Sequence, residues 1–240
     1  MAPKISVVMP TYNREGMICH AIQSILDQTF NDWELIIVDD GSTDKTESVV
    51  KMFGDKRIRY FKNPKNRGIG YSRNFGNKKA NADIIVVQDS DDMSFPDRLE
   101  EIYKVFQSFD TDILYHWFYI RAIDIRYGAR AVHREIQRCG EYDKKKAVQI
   151  PYIPGQVAYK RSKILKYPYR EEMRCWDDWM MIIDFTMHNC KFLQLKKPLY
   201  EYVISDDSVT MRSDNTGLRE EEAGRMKKIL KKEYKLKIND

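Results

Sequence analysis

The chain has 240 residues, with 42% hydrophobic and 12% aromatic, and carries 41 Lys+Arg against 36 Asp+Glu for a net charge of +5. That length and apolar content exclude a disordered chain and fit one sizeable domain, alone or with a small lobe. The modest basic excess permits an anionic partner such as a nucleotide diphosphate or a membrane surface and demands neither; no nucleic-acid partner is expected.

Cys19, Cys139, Cys175 and Cys190 are scattered, without a Cys-x-x-Cys pair, and read as reduced thiols of a cytoplasmic protein. Residues 1–10 run straight into a strand pattern instead of a long apolar signal segment. No run approaches the ~20 apolar residues of a membrane span. The expected location is cytoplasmic, at most peripheral at the inner face of the membrane.

In chain order, residues 5–9 form a short β-branched apolar run, a buried strand stopped by Pro10-Thr11-Tyr12-Asn13. Met17, Ile18, Ala21, Ile22, Ile25 and Leu26 recur at helical spacing. A second buried strand at 35–38 ends at Asp39-Asp40-Gly41-Ser42, and Ser42 or Thr43 is placed to cap a helix running toward Phe53. A more exposed strand at 57–62, a turn at 63–66, and a helix at 69–80 follow. Residues 84–87 form a further buried strand, broken by Asp89-Ser90-Asp91-Asp92, and Pro96 opens a helix to about Phe109.

Beyond that point the pattern loosens. Residues 112–120 and 153–159 are strand candidates, 121–146 is polar and irregular, 177–188 is helical, 192–202 extended, and 218–234 a charged helix.

Strands alternating with helices over residues 1–110 mean an open α/β sheet, mostly parallel and twisted, with helices on both faces. In such sheets ligands sit beyond the carboxyl ends of the strands. Thr11 and Asn13, Asp39 and Asp40, and Asp89, Asp91 and Asp92 all fall at those ends.

Each cluster has a plain alternative. Asp89 and Asp91, two apart in a loop, can face one hard cation such as Mg²⁺ or Mn²⁺, or simply make turns and a helix cap. Asp39-Asp40 can accept from a pyrimidine N–H or cap a helix. Arg73, one helical turn beyond Gly68 and Gly70, can reach a phosphate or base oxygen, or be a solvated surface arginine.

Taken jointly, the blocks resemble a known family. Residues 5–14, Ile-Ser-Val-Val-Met-Pro-Thr-Tyr-Asn-Arg, the 22–30 segment, and 33–43, Trp-Glu-Leu-Ile-Ile-Val-Asp-Asp-Gly-Ser-Thr, are similar to the opening blocks of the inverting family 2 glycosyltransferases of GT-A fold. Asn66-x-Gly68 with Arg73-Asn74-x-Gly76, and Gln88-Asp89-Ser90-Asp91-Asp92 with Pro96-x-Arg98-Leu99, follow in that family's order.

The resemblance implies a GT-A sheet with a smaller C-terminal acceptor-side lobe. It divides the chain into a nucleotide-sugar half (1–110), an acceptor half (111–215) and a C-terminal basic helix (216–240). It implies transfer of a sugar from a nucleotide-sugar donor, UDP-linked by preference, to a glycan, lipid-linked or protein acceptor, with Mn²⁺ or Mg²⁺ as cofactor. Pro10, Thr11, Tyr12, Asn13, Asp39, Asp40, Arg73, Asp89 and Ser90 are expected at the nucleotide. Asp91 with Asp89 is expected at the metal, and Asp92 near the cation or sugar.

Cys175-Trp176-Asp177-Asp178-Trp179 is similar to the family's acidic pair at a helix start, with Asp where Glu is usual. Asp178 matches the general base that takes the acceptor hydroxyl's proton. Without the resemblance, Asp177 and Asp178 read equally as a charge pair favoured by the helix dipole. Gly155 with Gln156, Trp176, Asp177 and Trp179 are expected on the sugar or acceptor side, where the tryptophans either stack on a sugar ring or pack in the core. The segment through Tyr200-Glu201-Tyr202 and Ser208-Val209-Thr210 resembles the family's closing block, but Val203 stands where many members carry a His. His188 reads as packing or surface.

In the last helix, Met226, Ile229, Leu230 and Tyr234 can form an apolar stripe beneath a lysine-rich face. It reads as a helix docked on the domain or, more sharply, as a contact with an anionic membrane carrying the acceptor. A nucleotidyltransferase would need a Gly-rich basic first loop, which residues 10–16 lack. A Rossmann dehydrogenase is excluded by the missing Gly-x-Gly-x-x-Gly. The remaining alternative is a non-catalytic nucleotide- or glycan-binding relative.

Overall fold

The computed structural model describes residues 2–124, 130–204 and 217–235. The first half is built as its apolar runs dictate: β1 (Ile5–Thr11), α1 (Ile18–Leu26), β2 (Trp33–Asp39), α2 (Thr46–Lys51), β3 (Ile58–Lys62), α3 (Ile69–Lys79), β4 (Ile84–Val87), β5 (Met93–Ser94) and α4 (Arg98–Ser108). The second half contains β6 (Ile113–Asp124), β7 (Arg130–Gln137), α5 (Lys144–Gln149), β8 (Ala158–Lys160), α6 (Arg161–Lys166), α7 (Asp177–Met187), β9 (Phe192–Ile204) and α8 (Leu218–Tyr234).

These strands make one sheet in the order β3-β2-β1-β4-β8-β6-β9-β5, with β7 paired to β6. β3, β2, β1 and β4 are parallel, with β1, β2 and β4 buried throughout and β3 the half-buried edge, and β6 is parallel to β9. β8 enters antiparallel between β4 and β6.

Alternation along the strands divides the core in two. Ile5, Val7, Met9, Leu35 and Ile37 face α1 and α4 through Ile18, Ile22, Ile25, Leu99 and Ile102. Val8, Ile36, Val38, Ile85 and Val87 face the other layer, with Ile164, Met181, Ile182 and Phe185. Gly76 lets α3 lie directly on this second face: a Cβ there would come within 2.5 Å of a Val8 methyl and 3.3 Å of a Val38 methyl.

The chain runs outward from β1 to β2 and β3, then crosses on α3 to β4 on the opposite side of β1. That reversal opens a crevice at the carboxyl ends of β1 and β4, where open α/β sheets hold ligands. The register aligns Thr11 with Asp39 and Val8 with Val87, so the polar segments after all three strands share one edge.

Several local expectations are corrected. Neither Ser42 nor Thr43 caps α2: Asp44 Oδ1 accepts from the Thr46 N–H and hydroxyl, while the Ser42 hydroxyl accepts from Asn13 N–H. The described residues of the segment 121–146 are not irregular: they contain the end of β6, β7 and the start of α5, the last capped by Asp143 accepting from Lys146 N–H at 2.6 Å. The strand expected over 153–159 shrinks to β8. Pro154 has no N–H to give a ladder, and Gly155 turns the chain by accepting from Val157 N–H at 3.0 Å.

α8 docks on the domain: Glu222, Met226 and Leu230 form its buried stripe, and Met226 and Leu230 pack with Met173, Met180 and Ile183 of the α7 region. No helix among the described residues is long and apolar enough to cross a membrane. All four cysteines are unpaired. His188 stacks on Tyr167 at 4.0 Å, a packing role.

Candidate active site

A cavity of about 550 Å³ opens at the crevice. Pro10, Thr11 and Tyr12 reach it from the end of β1, Asp40 from β2, Arg73 from α3, and Asp89, Ser90 and Asp91 from the loop after β4. Gly155, Trp176, Asp177 and Asp178 close its opposite side. Residues more than a hundred positions apart in sequence therefore meet in one volume.

Arg73 joins the two sides. It is 3% exposed, and its guanidinium donates to Asp177 Oδ2 at 2.6 Å and to Asp89 Oδ1 at 2.8 Å. Two charge-assisted bonds of this length, the first buried and the second partly so, hold the start of α7 against the β4 loop. The fork expected to reach for a phosphate is thus committed to two carboxylates.

Trp176 adopts the left-handed conformation (φ 56°) and turns the chain into α7. Such strain at a bulky residue persists only where surrounding structure enforces it. It places Asp177 and Asp178 in the first turn, where the helix dipole favours negative charge. Asp178 Oδ1 accepts from Trp179 N–H at 2.7 Å. Burial, reinforced by the Asp177 charge, pushes the Asp178 carboxyl up to about 6. It can therefore accept a proton near neutral pH.

The carboxylates after β4 crowd one another. Burial, with the Asp89 charge beside it, pushes the Asp91 carboxyl up, and Arg14 Nε only partly offsets this from 3.4 Å. Half-buried carboxylates that repel in this way match hard-cation ligands. Among the described residues no group of three His, Cys, Asp or Glu forms a complete metal cage. Asp89 and Asp91 alone would leave most positions around such a cation to non-protein ligands. Val203, at 3% exposure, supplies only a backbone N–H, and that goes to Asp92 Oδ1 at 2.7 Å.

At the β1 end, Thr11 Oγ1 is buried without a hydrogen-bond partner, an unspent polar atom at the cavity wall. Asp40 accepts from the N–H groups of Arg67 (3.0 Å) and Gly68 (2.8 Å) and from Asn63 Nδ2 (2.8 Å). It holds the loop that enters α3 while forming part of the cavity.

Four expected site residues fall outside the cavity wall. Asp39 is fully buried, accepting from Ser42 N–H and the Tyr60 hydroxyl. Asn13 ties the first loop to the second, its Oδ1 accepting from Thr43 N–H at 2.9 Å. Asp92 is fully buried and accepts from Val203 N–H and Gln156 Nε2. Trp179 packs against Trp176 and donates from Nε1 to Ala147 O at 2.8 Å, the core alternative. Arg14, Phe118, Tyr200, Tyr202, Arg174 and Arg219 join the wall without having been assigned to the site. Arg14 carried a signal as the last residue of the first block, and Tyr200 and Tyr202 as part of the closing block.

Fold and cleft together are those of a GT-A sheet. The family model "Glycosyl transferase family 2" matches residues 6–168, and the chain belongs to that family. An Escherichia coli protein, UDP-Glc:alpha-D-GlcNAc-diphosphoundecaprenol beta-1,3-glucosyltransferase WfgD, is 40% identical over 96 residues, covering 40% of this chain and 38% of its own. The crystal structure of S. aureus TarS 1-349 in complex with UDP-GlcNAc superposes with a TM-score of 0.71 at 22% identity, covering 88% of this chain and 61% of that one. Mannosyltransferase PcManGT from Pyrobaculum calidifontis, in complex with GDP-Man and Mn²⁺, gives 0.66 at 18% identity, covering 94% and 65%. The chain spans 30–40% of the length of the first curated relatives it matches.

Proposed function

We propose that this chain is a metal-dependent inverting glycosyltransferase, moving a sugar from a nucleoside-diphosphate sugar to a hydroxyl of a glycan or lipid-linked acceptor. The observation that carries it is the shared cavity. Asp178, a carboxyl raised to about 6, faces the volume walled on its other side by Asp89 and Asp91, with Arg73 between.

In this reading residues 1–110 hold the donor and residues 111–215 the acceptor. Tyr12, 39% exposed at the cavity edge, offers a face to the base, and Thr11 Oγ1 an unused polar atom. Asp89 and Asp91 would hold Mn²⁺ or Mg²⁺, which supplies charge stabilisation to the departing diphosphate. Asp178 takes the proton of the acceptor hydroxyl as it attacks the anomeric carbon from the face opposite the leaving group. Arg73 keeps Asp177 paired, so the second acid of the α7 turn stays fixed beside the base. Trp176 offers an apolar platform for a sugar ring.

A UDP-linked donor is favoured because the E. coli relative is named for UDP-Glc and the TarS structure holds UDP-GlcNAc; PcManGT holds GDP-Man. Thermal stabilisation by UDP, GDP, dTDP and CDP, each with and without Mn²⁺, tests this donor reading. Stabilisation by UDP that increases with Mn²⁺ is expected; stabilisation by none of the four counts against it and favours a non-catalytic relative.

The exposed Lys228, Lys232 and Lys235 of α8 offer a basic face to an anionic membrane carrying a lipid-linked acceptor. Because the apolar stripe of α8 is used within the domain, any such contact is electrostatic and salt-sensitive. Equal flotation of the parent chain and a Lys228→Glu/Lys232→Glu/Lys235→Glu variant with phosphatidylglycerol vesicles would remove this contact from the account.

A further inference from the structure

Arg98 is completely buried, and among the described residues no carboxylate pairs with it directly. Its partners are neutral. One guanidinium nitrogen donates to Gln88 Oε1 (2.8 Å), Ser94 Oγ (2.9 Å) and Gln156 Oε1 (3.3 Å). The other donates to the main-chain oxygens of Val87 (3.0 Å) and Gln156 (3.3 Å). Nε reaches His116 Nε2 at 3.4 Å, and burial pushes that imidazole down to about 3, leaving it neutral to accept.

A cation taken out of water without a contacting anion is costly, and an apolar side chain would fill the same volume more cheaply. What distinguishes this arrangement is where its contacts lead. Gln88 Nε2 donates to the carbonyls of Asp89 (3.0 Å) and Asp92 (2.9 Å), the two ends of the acidic loop. Gln156 Nε2 donates to Asp92 Oδ2. Gln156 also follows Gly155, whose Cα faces the Asp178 carboxylate so closely that a Cβ would stand 3.1 Å from Asp178 Cβ and Cγ. One buried fork therefore grips both the loop bearing Asp89 and Asp91 and the turn that seats Asp178.

We propose that Arg98, acting through Gln156 and Gln88, is a positioning residue that holds the donor-side acidic loop and the base-side Gly155 turn in register. The proposal rests on Asp178 being the base. Arg98 touches no substrate. It fixes the separation between the group that takes the proton and the carboxylates beside the leaving group. Misplacing reacting groups by about 1 Å costs on the order of 100-fold in rate.

The test compares the parent chain with Arg98→Lys, Gln156→Leu, the double variant and Asp178→Asn. Turnover is read as UDP release from UDP-glucose and UDP-N-acetylglucosamine, and Tm is read alongside. Each single variant should lower kcat roughly 10- to 100-fold with donor KM little changed, and the double should fall no further than the worse single. Additive kcat losses, or a lowered Tm with kcat intact, overturn the proposal. If Arg98→Lys does not fold, Gln156→Leu alone decides: kcat falls, or the proposal fails. A crystal structure of Gln156→Leu reads the geometry independently of turnover. An Asp178 carboxylate withdrawn from Gly155 supports the coupling; an unmoved one overturns it. Unchanged turnover in Asp178→Asn would instead contradict the base assignment, which separates the two failures.

Discussion

The Asp178 carboxylate packs against Gly155 so tightly that residue 155 has no room for a side chain. A Cβ there would lie 3.1 Å from Cβ and Cγ of Asp178 and closer still to Oδ2. Its backbone angles do not demand glycine, since its φ is not positive; the close approach does. Gly155→Ala should therefore displace the carboxylate and lower kcat about 10- to 100-fold while leaving UDP affinity near the parent value. Steady-state kinetics with calorimetric UDP titration check this. Unchanged kcat would mean that Asp178 is not held at the reacting position.

The proton-accepting role sets a sign for the pH dependence. A base works only when ionised, and burial beside Asp177 pushes Asp178 up to about 6. The rate should climb with pH through about 6 and level off above it. The same shift acts on stability. The folded state holds this proton more tightly than the unfolded chain, whose ordinary value is 3.8. Asp178's contribution is thus favourable below pH 3.8 and is lost as pH rises through about 6. In Asp178→Asn that component should vanish from the pH dependence of unfolding, a change that urea titrations at pH 4 and pH 7 would resolve.

Arg73 balances Asp89 and Asp177 at the cavity wall. Arg73→Ala leaves two carboxylates without their buried cation, and breaking such a pair costs ~3–5 kcal/mol. Urea unfolding should show a loss of that size together with lost turnover. A loss below about 1 kcal/mol would place Arg73 among exposed, weakly coupled ion pairs.

Asp91 carries the metal prediction. Asp91→Asn should remove the Mn²⁺-dependent part of UDP binding and leave the metal-free part near its parent level. Paired calorimetric titrations with Mn²⁺ and with EDTA measure the difference. A Mn²⁺ increment that survives the substitution would move the cation to other ligands.

The parallel half of the sheet was readable because residues 5–9, 35–38 and 84–87 are continuous apolar runs broken by polar loops, and those loops mark the crevice. The site was harder to read within each loop. Asp39 and Asp40 are adjacent, yet a strand end sends neighbours to opposite faces, so Asp40 reaches the cavity and Asp39 meets Tyr60. Asp91 and Asp92 part across a turn, Asp91 reaching the cavity and Asp92 turning inward to Val203 N–H. Arg98 and Arg14 stand inside recognisable blocks, but what each touches depends on tertiary contacts that the blocks do not reveal. β7 escaped notice because it exists through pairing with β6, in a segment whose composition reads as a loop.

The proposed sugar transfer stands on Asp178 as its general base. Its most direct test is Asp178→Asn, assayed for UDP release from UDP-glucose and UDP-N-acetylglucosamine and, in parallel, for UDP binding with Mn²⁺. Turnover should fall at least ~100-fold, the scale of general-base catalysis, with UDP affinity within a few-fold of the parent chain. Retained turnover would remove Asp178 as the base; lost UDP binding would assign it to the donor site instead.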